Sequence, residues 1–501
     1  MTRPISKTNF LDFLFCSKNL WLKLHKPELL EQFTLSDYEQ HLVEEGNEVE
    51  SVAHNLFPNG IEVKSYGDEA CRETTRLIAA GVSSIFQATF IIDGFQVRSD
   101  VLVRNAETGG WDLYEIKGTS AVNESAGDRN HIDDLAFQAS VLRRSGVTVE
   151  KCYVMHLNNE YVRAGELDIA ELFKSEDVTD KVRERLPAVE TQMEVAREYL
   201  TKDTEPKGGC ECIYKGRSGH CTTFKYSNPQ VPEYSVHDLS RIGLSKKKLQ
   251  TMVENKMFAL DDVSEDIELS DTQRNQITVH RRNAPIIDTD AIRAELEPLS
   301  FPLYFLDYET FSPAIPLFSG YRPFDKIPFQ FSLHILHDSH SESEHVEYLH
   351  MEQTDPSEAV VKILEEHILP EGTIIAWNKS FEMDVHKKLA ARLPDYRPFL
   401  ERTIAMFYDL KDVFHKQHYV HPEFKGSVSI KKVLPALVPS LQYKELGIHG
   451  GAQASDAWWT MLSPSTSTME RELIASDLKT YCKLDTYAMY AIWKHLQEIM
   501  L

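Results

Sequence analysis

No apolar run in this 501-residue chain approaches the roughly 18 residues that a membrane-spanning helix requires. The first residues, Met1-Thr-Arg-Pro-Ile-Ser-Lys-Thr-Asn, lack the apolar core of a secretory signal, so the expected location is cytoplasmic, with no membrane partner. Basic residues are scarce: 54 Lys and Arg stand against 77 Asp and Glu, a net charge of −23. That balance excludes a general nucleic-acid-coating protein, which would be basic. It leaves room for a metal-dependent enzyme, in which carboxylates hold cations and local clusters such as Lys215 to Lys225 or Lys246 to Lys248 meet phosphate. Cysteine is sparse too, at seven residues, and in a cytosolic chain these do not suggest disulfides. Internal repeats and low-complexity tracts are absent.

What is present divides into three expected blocks, within a length prior of two to four domains. Residues 1–225 open with helical patterns near 7–22 and 36–56. Strands follow at 87–92, 96–103 and 112–117, then a helix at 131–144, a strand at 150–157 and helices at 167–174 and 179–202. Residues 226–300 are polar and mostly helical and are expected to form a connector. Residues 301–501 alternate strands with helices and end in a long helix over 468–499, an α/β layer pattern.

In the last block, the apolar strand Phe301-Pro-Leu-Tyr-Phe-Leu-Asp307-Tyr-Glu309 ends in two acids that share a face, because side chains alternate along a strand. Glu382 opens the helix after Ile374-Ile-Ala-Trp-Asn378-Lys-Ser-Phe381, with Asp384 as a fallback ligand. Tyr481 and Asp485 lie four apart on one helix face. Four carboxylates on three elements suit two hard divalent cations, which clamp a phosphodiester and activate water. These segments resemble the three motifs of the DnaQ-like (DEDD) 3′–5′ exonucleases of the ribonuclease H-like fold. The resemblance implies that Asp307, Glu309, Glu382 and Asp485 bind Mg²⁺ or Mn²⁺, and that Tyr481 places the chain in the tyrosine subclass. Two departures are visible: Thr480 stands where the histidine subclass has His, and Glu382 where Asp is usual.

The first block carries a second acidic set, Asp100 on one strand and Glu115-Ile-Lys117 on the next. Two acids and a lysine aimed at one pocket also suit phosphodiester hydrolysis, whereas alone they are equally a surface Glu–Lys pair. With His54 upstream, Gln138 downstream, and Cys16, Cys210, Cys212 and Cys221, the block resembles the RecB-like PD-(D/E)xK nucleases, especially their iron–sulfur branch. That resemblance implies metal binding by His54, Asp100 and Glu115, catalysis by Lys117, and a positioning role for Gln138. Leu142 replaces a tyrosine often found there. It also implies a 4Fe–4S cluster on the four cysteines. Their Cys-x-Cys spacing departs from the usual Cys-x-x-Cys, and thiolates suit zinc as well, with His220 as a substitute ligand.

Segments such as Ile5-Ser-Lys-Thr-Asn-Phe, Trp21 to Pro27, His421 to Ser427 and Tyr481-Cys-Lys-Leu-Asp-Thr486 are similar to a bacterial family carrying the domain of unknown function 2779. There, a RecB-like nuclease precedes a DnaQ-like exonuclease. The implied function is a metal-dependent dual nuclease acting on nucleic acid, DNA ahead of RNA, in end processing, repair or anti-phage defence. The alternatives are an RNA-processing exonuclease and a nucleic-acid-binding module with inactive sites.

Overall fold

A computed structural model describes residues 4–30, 37–125, 130–444 and 446–500. The first three residues, read above for a signal, and residue 36, at the start of an expected helix, lie outside that range. The protein is mixed α/β and divides into two units. The first comprises residues 1–213, 219–229 and 313–325, and the second 214–218, 230–312 and 326–501. Most of the expected connector therefore falls within the second unit. Among the described residues, no helix is long and apolar enough to cross a membrane.

The first unit is built on one mixed sheet, in the order Ile61–Glu62, Ser84–Ile92, Phe95–Arg104, Trp111–Lys117, Val149–Leu157, Phe173–Asp177. Three central strands form an antiparallel meander. Its first turn is Asp93-Gly94, with φ of 51° and 82°, the left-handed pair that a two-residue hairpin demands. The helix His131–Arg144 then crosses over, so Val149–Leu157 pairs parallel to Trp111–Lys117. This crossover helix is buried from His131 to Leu142. Phe137 stacks on Phe10 from the helix Lys7–Phe15 at 4.9 Å between ring centres, which locks the first helix onto the sheet. The helix expected at 167–174 shrinks to Ile169–Leu172, and the chain continues as the edge strand Phe173–Asp177.

The second unit holds a five-stranded sheet, in the order Glu344–Leu349, Ile327–Leu336, Leu303–Phe311, Thr373–Ala376, Phe407–Asp409. The first three strands are antiparallel and the last two join in parallel. Strand Leu303–Phe311 alternates strictly. Tyr304, Leu306 and Tyr308 enter the apolar core with Val360, Leu364 and Leu389. Tyr308 ends in a hydrogen bond between its hydroxyl and His386 Nε2 at 2.8 Å. The opposite face meets the 32-residue helix Thr468–Ile499, where Phe305 packs edge-on against Tyr490 and Trp493. One pleat thus sends apolar side chains one way and Asp307 and Glu309 the other, toward the long helix.

Candidate functional site

In the second unit, Asp307, Glu309 and Cys482 bring ligand atoms within 4.8 Å of one another, a spacing one cation could bridge. Cys482 sits on the long helix between Tyr481 and Asp485. Asp485 accepts a hydrogen bond from the Tyr443 hydroxyl at 2.6 Å. Burial pushes the carboxyls of Asp307 and Glu309 well above the usual range, and the charge of Asp485 adds to the effect on both. Asp485 itself is pushed up to about 6 by burial, although hydrogen bonding from Tyr443 and the nearby Lys431 pull it down. Such crowding disfavours the ionised acids unless a cation joins them.

Glu382 lies in the first turn of the helix Lys379–Arg392 and is 3% exposed. Its Oε2 is buried without a hydrogen-bond partner, and burial pushes its carboxyl up to about 8. Its charge is felt at Asp307, although it does not join the 4.8 Å group. Asp384, the fallback ligand, is instead paired with Lys326 at 3.2 Å and Lys388 at 3.6 Å. The donor set fits hard dications: buried acids with raised pKa, and one carboxylate oxygen left orphaned. Burial also pushes the Tyr481 phenol up, and the charges of Asp485, Glu309 and Asp307 add to the effect.

Sequence reasoning missed three neighbours. Tyr443 lies in a loop. Lys431 sits on the helix Ile430–Leu437, with its ammonium 5.2 Å from the Tyr481 ring centre and 5.5 Å from that of Tyr443. Asp409, 6% exposed, ends strand Phe407–Asp409, and its charge reaches Glu382. None belongs to a local motif, so only the fold brings them in.

The first unit gathers Asp100, Glu115, Lys117 and Gln138 as the sequence anticipates, and adds Lys7, Asp134 and Glu50. Glu115 is 1% exposed. Its Oε1 accepts from Lys7 Nζ at 2.6 Å and Lys117 Nζ at 2.7 Å, and its Oε2 from Gln138 Nε2 at 2.5 Å. Lys117 and Gln138 are both also held by Asp134, at 3.0 and 2.9 Å. Asp100 Oδ2 accepts from the Ile116 backbone N–H at 2.9 Å, and its Oδ1 faces Lys7 at 3.4 Å. Burial raises Asp100 to about 7, with the charge of Glu115 adding to it. Burial acts on Glu115 in the same direction, but the ammoniums of Lys117 and Lys7 outweigh it and hold that carboxyl well below its usual range.

His54 is not gathered with the two acids. Its ring stacks on Phe86 at 3.9 Å, its Nε2 lies 3.4 Å from Glu50, and His54, Asp100 and Glu115 do not offer ligand atoms within 4.8 Å of one another. Glu50 is the nearer acid, and its charge raises Asp100. Gln87, with φ of 56°, donates to Glu50.

Cys16, Cys210, Cys212 and Cys221 are all buried, with sulfurs within 4.8 Å of one another. Cys210 and Cys221 sulfurs are 3.7 Å apart, far beyond a disulfide bond. Hydrogen bonding among the four sulfurs pushes Cys16 up and Cys210 down. Asn19 ties the first helices to this loop, accepting from the Thr223 N–H and the Thr222 and Thr223 hydroxyls at 3.0, 3.0 and 2.8 Å. His220 stacks on Phe224, and the four sulfurs form a complete tetrad without it. The tetrad fits a thiophilic metal.

Comparison with known proteins finds relatives that are themselves uncharacterized. One, from Ureaplasma parvum serovar 3, is 28% identical over 273 residues, covering 49% of this chain and 39% of the relative. A second, from Mycoplasma genitalium, is 24% identical over 39% of this chain and 32% of the relative. A third, from Mycoplasma pneumoniae, is 26% identical over the same shares. The matched part of the chain thus spans well under half the length of these relatives. Residues 304–429, which include Asp307, Glu309 and Glu382, match the family described as "Domain of unknown function (DUF2779)".

Proposed function

We propose that the protein is a metal-dependent nuclease that hydrolyses phosphodiester bonds at two centres, with DNA its expected substrate. The observation that carries this reading is the crowding of buried acids, Asp307 and Glu309 on one strand and Asp485 and Glu382 on helices beside it, where burial and mutual charge raise the carboxyls despite the nearby Lys431. Support comes also from the sheet order, in which three antiparallel strands are followed by two parallel ones. That arrangement resembles the ribonuclease H-like fold, as the meander plus crossover helix of the first unit resembles the PD-(D/E)xK core.

Bound Mg²⁺ or Mn²⁺ would activate water and neutralise charge on the phosphate. Asp307, Glu309 and Asp485 would hold the cations, with Glu382 contributing from the neighbouring helix. Tyr443 fixes the orientation of Asp485. Tyr481 would orient the attacking water or accept its proton. Lys431 offers positive charge to the substrate's phosphates. In the first unit, Asp100 and Glu115 hold the cation, Lys117 meets water or phosphate, and Gln138 acts through Glu115 by fixing its carboxylate.

The cysteine tetrad serves as a structural staple between the first helices and the loop near 210–221. The resemblance implies a 4Fe–4S cluster here, but the close sulfur shell favours the alternative, a single tetrahedral ion such as zinc. Metal–sulfur bonds of about 2.3 Å at the tetrahedral angle put sulfurs about 3.8 Å apart, close to the 3.7 Å between Cys210 and Cys221.

The test is cleavage of end-labelled single-stranded DNA, duplex DNA and RNA with and without Mn²⁺, by the wild type, Asp307→Asn, Lys117→Ala and the double variant. Mn²⁺-dependent cutting of DNA that each single variant lowers and the double variant loses supports the reading. Cutting by the double variant equal to wild type overturns it.

A further inference from the structure

Every accessible oxygen of the first unit's acid pair is already engaged, and this has a consequence for how a cation enters. Glu115 Oε1 is shared by Lys7 and Lys117, and Glu115 Oε2 is taken by Gln138. Asp100 Oδ2 is taken by the Ile116 N–H, which leaves Oδ1, and that atom faces Lys7. A dication bridging Asp100 and Glu115 must therefore contact the two oxygens that Lys7 spans.

The two lysines are not equivalent. Lys117 has an independent anchor in Asp134 and keeps it when Glu115 turns to a metal. The two acids that Lys7 pairs with directly, Asp100 and Glu115, form the proposed metal-binding pair, and Asp134 acts on it only through charge, so a cation would release it from both contacts at once. Lys7 is the first residue of the helix Lys7–Phe15, whose body is pinned by the Phe10–Phe137 stack. Its backbone therefore stays in place while its flexible side chain, 23% exposed, swings outward. Gln138 is fully buried and its Oε1 has no partner, a second sign that the pocket awaits a ligand.

We infer that the Lys7 ammonium occupies the seat of the divalent cation in the first unit, and that on metal entry it moves to contact the substrate's phosphate. The inference rests on reading Asp100 and Glu115 as metal ligands. It makes Lys7 a built-in competitor for the metal and a phosphate-binding group in the loaded enzyme. Two like charges cannot share one small seat at contact distance, so exchange rather than joint occupancy follows. The arrangement keeps the buried acids paired before metal arrives, avoiding the cost of an unpaired buried carboxylate.

The experiment uses the full chain with Asp307→Asn and Asp485→Asn, which disables the second unit's acid cluster. Mn²⁺ binding is measured by calorimetry, and DNA cleavage in parallel, for Lys7→Gln, Lys7→Arg and Glu115→Gln, with circular dichroism to confirm folding. Lys7→Gln is expected to bind Mn²⁺ about tenfold more tightly, equivalent to removing about 1.4 kcal/mol of competition. It is expected to cut DNA about tenfold more slowly, because a cation facing the phosphate is gone. Lys7→Arg, which keeps the charge, is expected to bind Mn²⁺ near the level of that background. Abolished binding in Glu115→Gln with unchanged or weaker binding in Lys7→Gln overturns the inference and leaves the metal site standing. Unchanged binding in Glu115→Gln overturns both the metal-site reading and the inference.

Discussion

At the scale of single residues, Glu382 shows what a buried carboxyl costs the protein in the absence of a cation. Its ordinary carboxyl value of 4.5 rises to about 8 on burial. Between those values the folded state holds a proton that the unfolded state has released, so stability falls as pH rises through that window and is fully regained below it. The metal-free protein is therefore expected to melt at higher temperature at pH 5.5 than at pH 8, with a slope of up to about 1.4 kcal/mol per pH unit from this one group. Thermal melts in chelator check this, and a flat or rising profile for Glu382 in a Glu382→Gln comparison contradicts it. Glu382→Gln should stabilise the metal-free protein at pH 8 while weakening Mn²⁺ binding. Tyr481 gives a separable prediction. On the proposed reading its phenol orients or deprotonates the attacking water without holding the metal, so Tyr481→Phe is expected to lower kcat by about 10- to 100-fold and leave Mn²⁺ affinity unchanged.

At the scale of elements, the crossover helix His131–Arg144 positions Asp134 and Gln138, and so Lys117 and Glu115. Its N-cap, Asn130, accepts from the N–H groups of Ile132 at 2.8 Å and Asp133 at 3.0 Å. Asn130→Ala is expected to cost about 1 kcal/mol, read as a lower unfolding midpoint in denaturant. No change in midpoint would show that the cap is redundant. This helix was legible in the sequence over 131–144, as was the strand bearing Asp307 and Glu309, because each couples a strong apolar period to clear turn or cap chemistry. The strand Phe173–Asp177 was not. Its exposed residues Lys174 to Asp177 carry no strand alternation, and pairing with Val149–Leu157 decides its form. The site followed the same division. Acids within motifs could be named from sequence, whereas Lys7, between Ser6 and Thr8, carries no local signal of a role. Tyr443, Lys431 and Asp409 were invisible, because tertiary contacts alone join them to acids remote in sequence.

At the scale of the whole molecule, each unit has its own acid pair on a sheet, and the first adds a sulfur tetrad that joins both ends of its chain segment. That tetrad is expected to hold about one tetrahedral ion per chain. Elemental analysis of protein purified without oxygen should return zinc, without a visible absorption band; iron with sulfide would instead establish the cluster implied by resemblance. With a net charge of −23, approach of the proposed nucleic-acid substrate would depend on bound cations and local basic clusters. Its central claim is that the buried acids of the second unit form a two-cation site. Electron paramagnetic resonance of Mn²⁺ added to Glu115→Gln protein tests this most directly, since that variant leaves only the second site. The account predicts a spin-coupled Mn²⁺ pair that disappears in Glu115→Gln/Asp307→Asn, and it is contradicted by a spectrum of free Mn²⁺ in both.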